Sequence, residues 1–98
     1  MSNPERALRI VEAVARVLDV PVCDLRWPRT KREAYARRVA AYALWVDSGS
    51  DATVAVALEA TPPVAAGWRA WVRRELTHNR TLQRDLTRLA TALRTWAA

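Results

Sequence analysis

The chain has 98 residues, 51% of them hydrophobic, with two glycines, one cysteine and a formal charge of +6. That length suits one domain, residues 1–98, with a single modest core. The lone Cys23 excludes an internal disulfide and, with no apolar run near the roughly 20 residues of a membrane span and no basic-then-apolar leader, points to a cytoplasmic protein without a membrane partner.

Abundant Ala, Leu and Arg with few glycines predict an all-α fold, a small bundle of about five helices. Ser2 and Glu5 form a capping box with Pro4 in the first turn, and Leu8, Val11, Val14 or Ala15, and Leu18 recur at helical spacing, giving a helix over about 3–19. Asp19-Val20-Pro21 ends it. Val22 to Trp27 reads as a short helical turn stopped by Pro28, with Cys23 as a small core residue.

Thr30 and Glu33 form a second capping box, and Tyr35, Val39, Tyr42 and Val46 mark the inward stripe of a helix over about 31–47. Ser48-Gly49-Ser50-Asp51 is a turn with an N-cap at its end, and 52–59 is a short apolar helix. Thr61 followed by Pro62 starts a helix over about 62–76, with Val64 or Ala65, Trp68, Trp71 or Val72, and Leu76 facing inward. His78-Asn79 breaks it, His78 complementing the helix dipole. The last helix, about 80–96, has the clearest stripe: Leu82, Leu86, Leu89, Leu93 and Trp96.

Charge is unevenly distributed along this frame. Residues 26–38 carry six cations and one carboxylate, Glu33, and a second basic block runs from Arg69 to Arg94. The acidic stretch Asp47 to Glu59 separates them. Cations at a helix start oppose the helix dipole, so Arg29, Lys31 and Arg32 are poorly explained by stability alone. Two basic surfaces on a small helical domain point to a duplex held at two places.

With no Phe, the five tryptophans supply the large core side chains. Trp45, Trp68 and Trp96 are expected inside. Trp27 either covers the core from outside or lies exposed. Trp68 and Trp71, three apart, cannot both be equally buried. One His and one Cys build no zinc site, and no Gly-rich phosphate loop, nucleophile elbow or acid–base carboxylate pair is present. No cofactor, metal, small-molecule substrate or enzymatic activity is expected.

The stretch from Ile10 to Leu44 resembles the opening of domain IV, the DNA-binding domain of the bacterial replication initiator DnaA. An amphipathic helix leads through the turn Val22-Cys23-Asp24-Leu25 and the basic loop Arg26 to Arg32 into a helix carrying Arg37-Arg38-Val39-Ala40-Ala41-Tyr42-Ala43-Leu44. Trp68 to Val72 and Asn79 to Leu93 are similar to that family's closing helices. The resemblance implies a Trp repressor-like helix-turn-helix, here at 52–76, with the loop at the backbone and minor groove. At the start of the reading helix, the family's Arg-Asp-His-Thr-Thr signature is replaced by Glu59-Ala60-Thr61-Pro62-Pro63-Val64. The initiator's sequence preference is therefore not expected to carry over.

The expected function is a stand-alone, sequence-specific, double-stranded DNA-binding regulator of transcription, a promoter-binding activator similar to the DnaA-like part of gene-transfer-agent activators. Its expected DNA contacts are Arg26, Arg29, Lys31, Arg32, Arg37, Arg38, Thr61, Arg69 and Arg73. Of Arg37 and Arg38, one is expected toward the backbone and one in solvent. Arg69 and Arg73 are placed on the outward face of the reading helix, with Arg74 turned to its flank. The alternatives are an adaptor docking RNA polymerase or another DNA-binding protein, and a replication modulator at initiator boxes.

Overall fold

The structure, a computed structural model, describes the backbone of residues 3–97 and the side chains of residues 3–95. Six helices follow one another: α1 (Pro4–Leu18), α2 (Val22–Arg26), α3 (Lys31–Ser48), α4 (Asp51–Leu58), α5 (Pro62–Glu75) and α6 (Arg80–Ala97), with no strand among the described residues. The expected all-α bundle is present. Its sixth helix is the short turn after Pro21, which closes into α2.

Caps decide most of the boundaries. The expected Ser2 cap lies outside the described residues, and Asn3 holds the N-cap of α1, its Oδ1 accepting from the amides of Glu5 at 3.1 Å and Arg6 at 3.2 Å. Ser50, rather than the expected Asp51, caps α4 by accepting from Thr53 N–H. Gly49 closes α3 at φ 67°, a left-handed conformation in which a Cβ would crowd the backbone. Asn79 caps α6 through Leu82 N–H at 3.0 Å.

The core lies where α3 meets α1, α2, α4 and α5. The inward side of α3 is Ala36, Val39, Ala40, Ala41 and Leu44, so the expected stripe needs correction. Val39 is buried, Tyr35 and Tyr42 are half-buried, and Val46 is 61% exposed. A helix contacted from several sides cannot use one narrow stripe, and alanines let its neighbours approach closely. Leu8 of α1 is also exposed, and Ile10 takes the interior position; of the two alternatives on α5, Ala65 is buried and Val64 exposed. Cys23 is exposed rather than in the core.

The tryptophans need a similar correction. Trp45, Trp68 and Trp71 are all half-buried at the margin of the core, whose largest enclosed side chains are leucines and valines. Trp27 is exposed, and Trp96 lies outside the described side chains. On α6, Leu82 and Leu89 are buried, whereas Leu86 and Leu93 line an open groove of about 780 Å³ with Ile10, Tyr42, Val46 and Leu76.

α6 packs on α1 and is also tied to α3 by a single polar contact. The Tyr35 hydroxyl donates to Asp85 Oδ2 at 2.7 Å, and Asp85 is the one buried charged side chain among the described residues. Burial, and then the Asp85 carboxylate, push the Tyr35 phenol above its ordinary value, so it stays protonated and able to donate. Tyr35→Phe removes that donor and leaves a buried carboxylate short of a partner. Thermal unfolding of the variant should show a loss of about 1.5–3 kcal/mol, the range for hydrogen bonds to charged groups.

Candidate nucleic-acid interface

The basic loop between α2 and α3 is held rigidly by polar contacts of its own. Thr30 is the N-cap of α3, its hydroxyl accepting from Glu33 N–H at 3.1 Å, and the Glu33 carboxylate accepts from the amides of Arg29 at 2.7 Å and Thr30 at 3.0 Å. The expected capping box is therefore formed, and it also binds the amide of Arg29. The Arg29 amide, and then a side-chain hydrogen bond with Asp24, hold the Glu33 carboxyl below its ordinary value of 4.5. The cap thus contributes fully above about pH 4.5 and is lost as pH falls through the lower folded-state value.

The loop's arginines divide into ties and free charges. Arg26 donates from Nε to the Ala57 carbonyl at 3.1 Å, near the C-terminus of α4. Arg32 donates to the Leu18 carbonyl at the C-terminus of α1. Both guanidiniums satisfy helix-end carbonyls that have no intrahelical partner, and each meets the negative end of a helix dipole. Arg29 and Lys31 are exposed. The one carboxylate of the segment is spent on backbone amides, so it pairs with neither of them.

Arg37 and Arg38 are not divided between phosphate and solvent as expected. Both lie over tryptophans of α5, Arg37 at 4.2 Å from the Trp68 ring centre and Arg38 at 4.7 Å from that of Trp71. From the other side, Arg69 and Arg73 of α5 reach back over Trp45 of α3, at 4.5 and 6.0 Å. The α3–α5 contact is therefore edged by four cation–aromatic stacks, each worth about 0.5–2 kcal/mol according to its exposure. Burial, and then the Arg38 charge, lower the Arg37 pKa, and its buried Nε lacks a hydrogen-bond partner.

The placement of Arg69 is a further correction. Its Nε and Nη2 donate to the two carboxylate oxygens of Asp51 at 2.7 and 2.9 Å, joining α5 to the first turn of α4. This two-pronged bond, led by the hydrogen bond itself, lowers the Asp51 pKa and raises that of Arg69. Arg69 is half-buried and turned toward α4, not outward.

The outward line of α5 runs through Pro63, Gly67, Ala70 and Arg74, at offsets of four, seven and eleven residues along one helix face. Arg73 is exposed on its flank, so Arg74 stands where Arg69 had been expected. Before Arg74 this line has no hydrogen-bonding side chain. At its start, Thr61 is exposed, its side chain makes no cap bond, and Pro62 and Pro63 carry no N–H. Three residues, Glu59-Ala60-Thr61, join α4 to α5, Glu59 turning the chain at φ 55°.

Sequence places the tryptophans in the core and Arg74 on a flank, and assigns neither the stacks nor the outward position of Arg74. Trp68 and Trp71 are spaced for one helix face, but which arginines would cover them depends on how α3 and α5 cross. Among the described residues, no group of three His, Cys, Asp or Glu side chains could hold a metal ion, and no helix is long and apolar enough to cross a membrane. His78 pairs with Glu75 at 2.6 Å. Compared with protein-family models and with curated proteins, the chain matches none.

Gly67 is an exposed helical glycine, and a Cβ added there would meet no atom within 4 Å. Interior helical glycine costs roughly 0.5–1 kcal/mol relative to alanine. Gly67→Ala should therefore raise unfolding stability by about that amount, measured by denaturant titration.

Proposed function

We propose that the chain is a double-stranded DNA-binding regulator of transcription, a promoter-binding activator. In this reading the loop at 26–32 holds the backbone and minor groove, and α4 and α5 act as a helix-turn-helix with α5 in the major groove. The observation that carries the proposal is the loop. Arg29 and Lys31 project from a backbone fixed by the capping box and by the Arg26 and Arg32 ties, and the loop's one carboxylate is engaged elsewhere. Free cations on a rigid support suit a phosphate track, because little ordering entropy is lost on binding.

The order of α4, a three-residue turn and α5 supports the helix-turn-helix, as does the resemblance to the DnaA domain. The outward face of α5 changes how reading would work. Pro63, Gly67 and Ala70 admit close approach of the helix backbone and apolar contact with thymine methyl groups. Arg74, with Arg73 on its flank, would supply the charged contact to a guanine edge or a phosphate. Arg69 is committed to Asp51, and Arg37 and Arg38 shape the surface through their stacks, so these three serve this interface mainly by holding it in place.

The decisive experiment is a salt titration of duplex binding. Arg29→Ala/Lys31→Ala should weaken binding evenly across sequences and flatten the slope of log affinity against log salt by about 0.9 per lost phosphate contact. Neither side chain belongs to the core, so the melting temperature should hold. Wild-type protein that binds duplex without salt dependence, or fails to bind it, would instead favour the protein-docking adaptor. A tenfold preference for an initiator box over scrambled duplex, about 1.4 kcal/mol, would favour the replication modulator.

A further inference from the structure

A second cluster of cations surrounds the contact between α3 and α6. Arg84 and Arg88 lie 3.5 and 4.0 Å from Asp85 Oδ1, and their side chains are 66% and 56% exposed. Oδ2 of the same carboxylate accepts from Tyr35. The Tyr35 ring meets the Trp71 ring edge-on, with centroids 6.2 Å apart and planes at 82°, and Arg38 covers Trp71. Arg32 and Arg84 both lie close enough to the Tyr35 phenol to lower its pKa electrostatically. Three guanidiniums, those of Arg38, Arg84 and Arg88, thus flank two aromatic rings and a single carboxylate, and Arg32 stands one turn before Tyr35 on α3.

This arrangement exceeds what stability requires. One buried carboxylate balances one charge, and its Oδ1 is offered to two arginines at long distance. Arg84 and Arg88 keep more than half of their side-chain surface in solvent, where they are open to a further anion. Arg32 ends the loop and stands three residues before Tyr35 on α3, so the loop and the α6 arginines are linked through the Tyr35–Asp85 bond. Tyr35 and Asp85 fix the spacing, since their hydrogen bond joins the helix bearing Arg32 and Arg38 to the one bearing Arg84 and Arg88.

We infer that Arg84 and Arg88, set beside Arg32 and Arg38 by the Tyr35–Asp85 bond, form a second phosphate-binding surface that extends the duplex contact from the loop onto α6. The inference rests on the DNA-binding reading and adds to it a contact surface outside the loop and α5. Its ligand is the sugar–phosphate backbone of the same duplex, gripped without regard to sequence.

The test compares wild type, Arg84→Ala/Arg88→Ala, Arg84→Lys/Arg88→Lys and Arg94→Ala by fluorescence anisotropy on a labelled duplex over a series of salt concentrations. Arg94 is an exposed cation farther along α6, outside the cluster, and controls for net charge. The double alanine variant should lose about tenfold or more in affinity, and its salt slope should fall by about 1–2 units. Its order of preference among sequences should stay unchanged, and binding is read at a temperature where every variant is folded, because Asp85 loses its Oδ1 partners in the double alanine variant. The double lysine variant should keep most of the slope, and Arg94→Ala should bind like wild type. Wild-type affinity and slope in the double alanine variant, or an equal loss in Arg94→Ala, would overturn the inference and leave the loop reading intact. If wild type shows no salt-dependent duplex binding, both readings fall together.

Discussion

Everything in this molecule is arranged around the need of α3 to be contacted by α1, α2, α4 and α5 along 18 residues. Ala36, Ala40 and Ala41 have essentially no exposed surface, and they keep the centre of the helix thin enough for its neighbours to approach. The larger side chains are displaced to its margins, where Tyr35, Arg37, Arg38 and Trp45 make the directional contacts. Tyr35 secures α6, Arg37 and Arg38 cover α5, and Trp45 receives the arginines of α5. The same helix begins at the basic loop, so the core and the proposed interface share one support.

The arginines illustrate how one residue type serves separate physical ends. Where a guanidinium finds an unpaired helix-end carbonyl, as Arg26 and Arg32 do, it joins two elements and keeps part of its charge available. Over a tryptophan, as with Arg37 and Arg38, it buries a planar face and completes packing that an aliphatic side chain would finish differently. Bonded at two points to Asp51, Arg69 has lost the freedom to meet a ligand. The remaining exposed cations are the ones available to a polyanion, and they lie on the loop, on the far end of α5, along α6 and, as with Arg9, on α1. The formal charge of +6 describes the sum of these roles and distinguishes none of them.

The reading surface proposed for α5 differs in kind from one built on side-chain hydrogen bonds. Proline, glycine and alanine occupy its outward line until Arg74, so little can be recognised there by paired donors and acceptors. Discrimination would come from methyl contacts, from groove shape and from the final arginines, with backbone phosphates supplying most of the affinity. Under the proposed reading, such a protein would depend on several charged surfaces acting together.

The amino-acid sequence determined the helices, because their caps, prolines and breaks act within a few residues. The Thr30–Glu33 box, Pro62 at the start of α5 and the all-α class follow from short-range hydrogen bonds and from backbone geometry. The concentration of charge in the loop was equally plain, since it is a property of neighbouring residues. The tertiary structure alone decided which face of α3 is inside, that Leu44 rather than Val46 is enclosed, and that Arg69 turns to Asp51. It also decided which arginines meet which tryptophans, and that Asp85 is buried against Tyr35, fifty positions away in the chain. These pairings depend on how helices cross, and crossing is set by the summed packing of many side chains that no local pattern records.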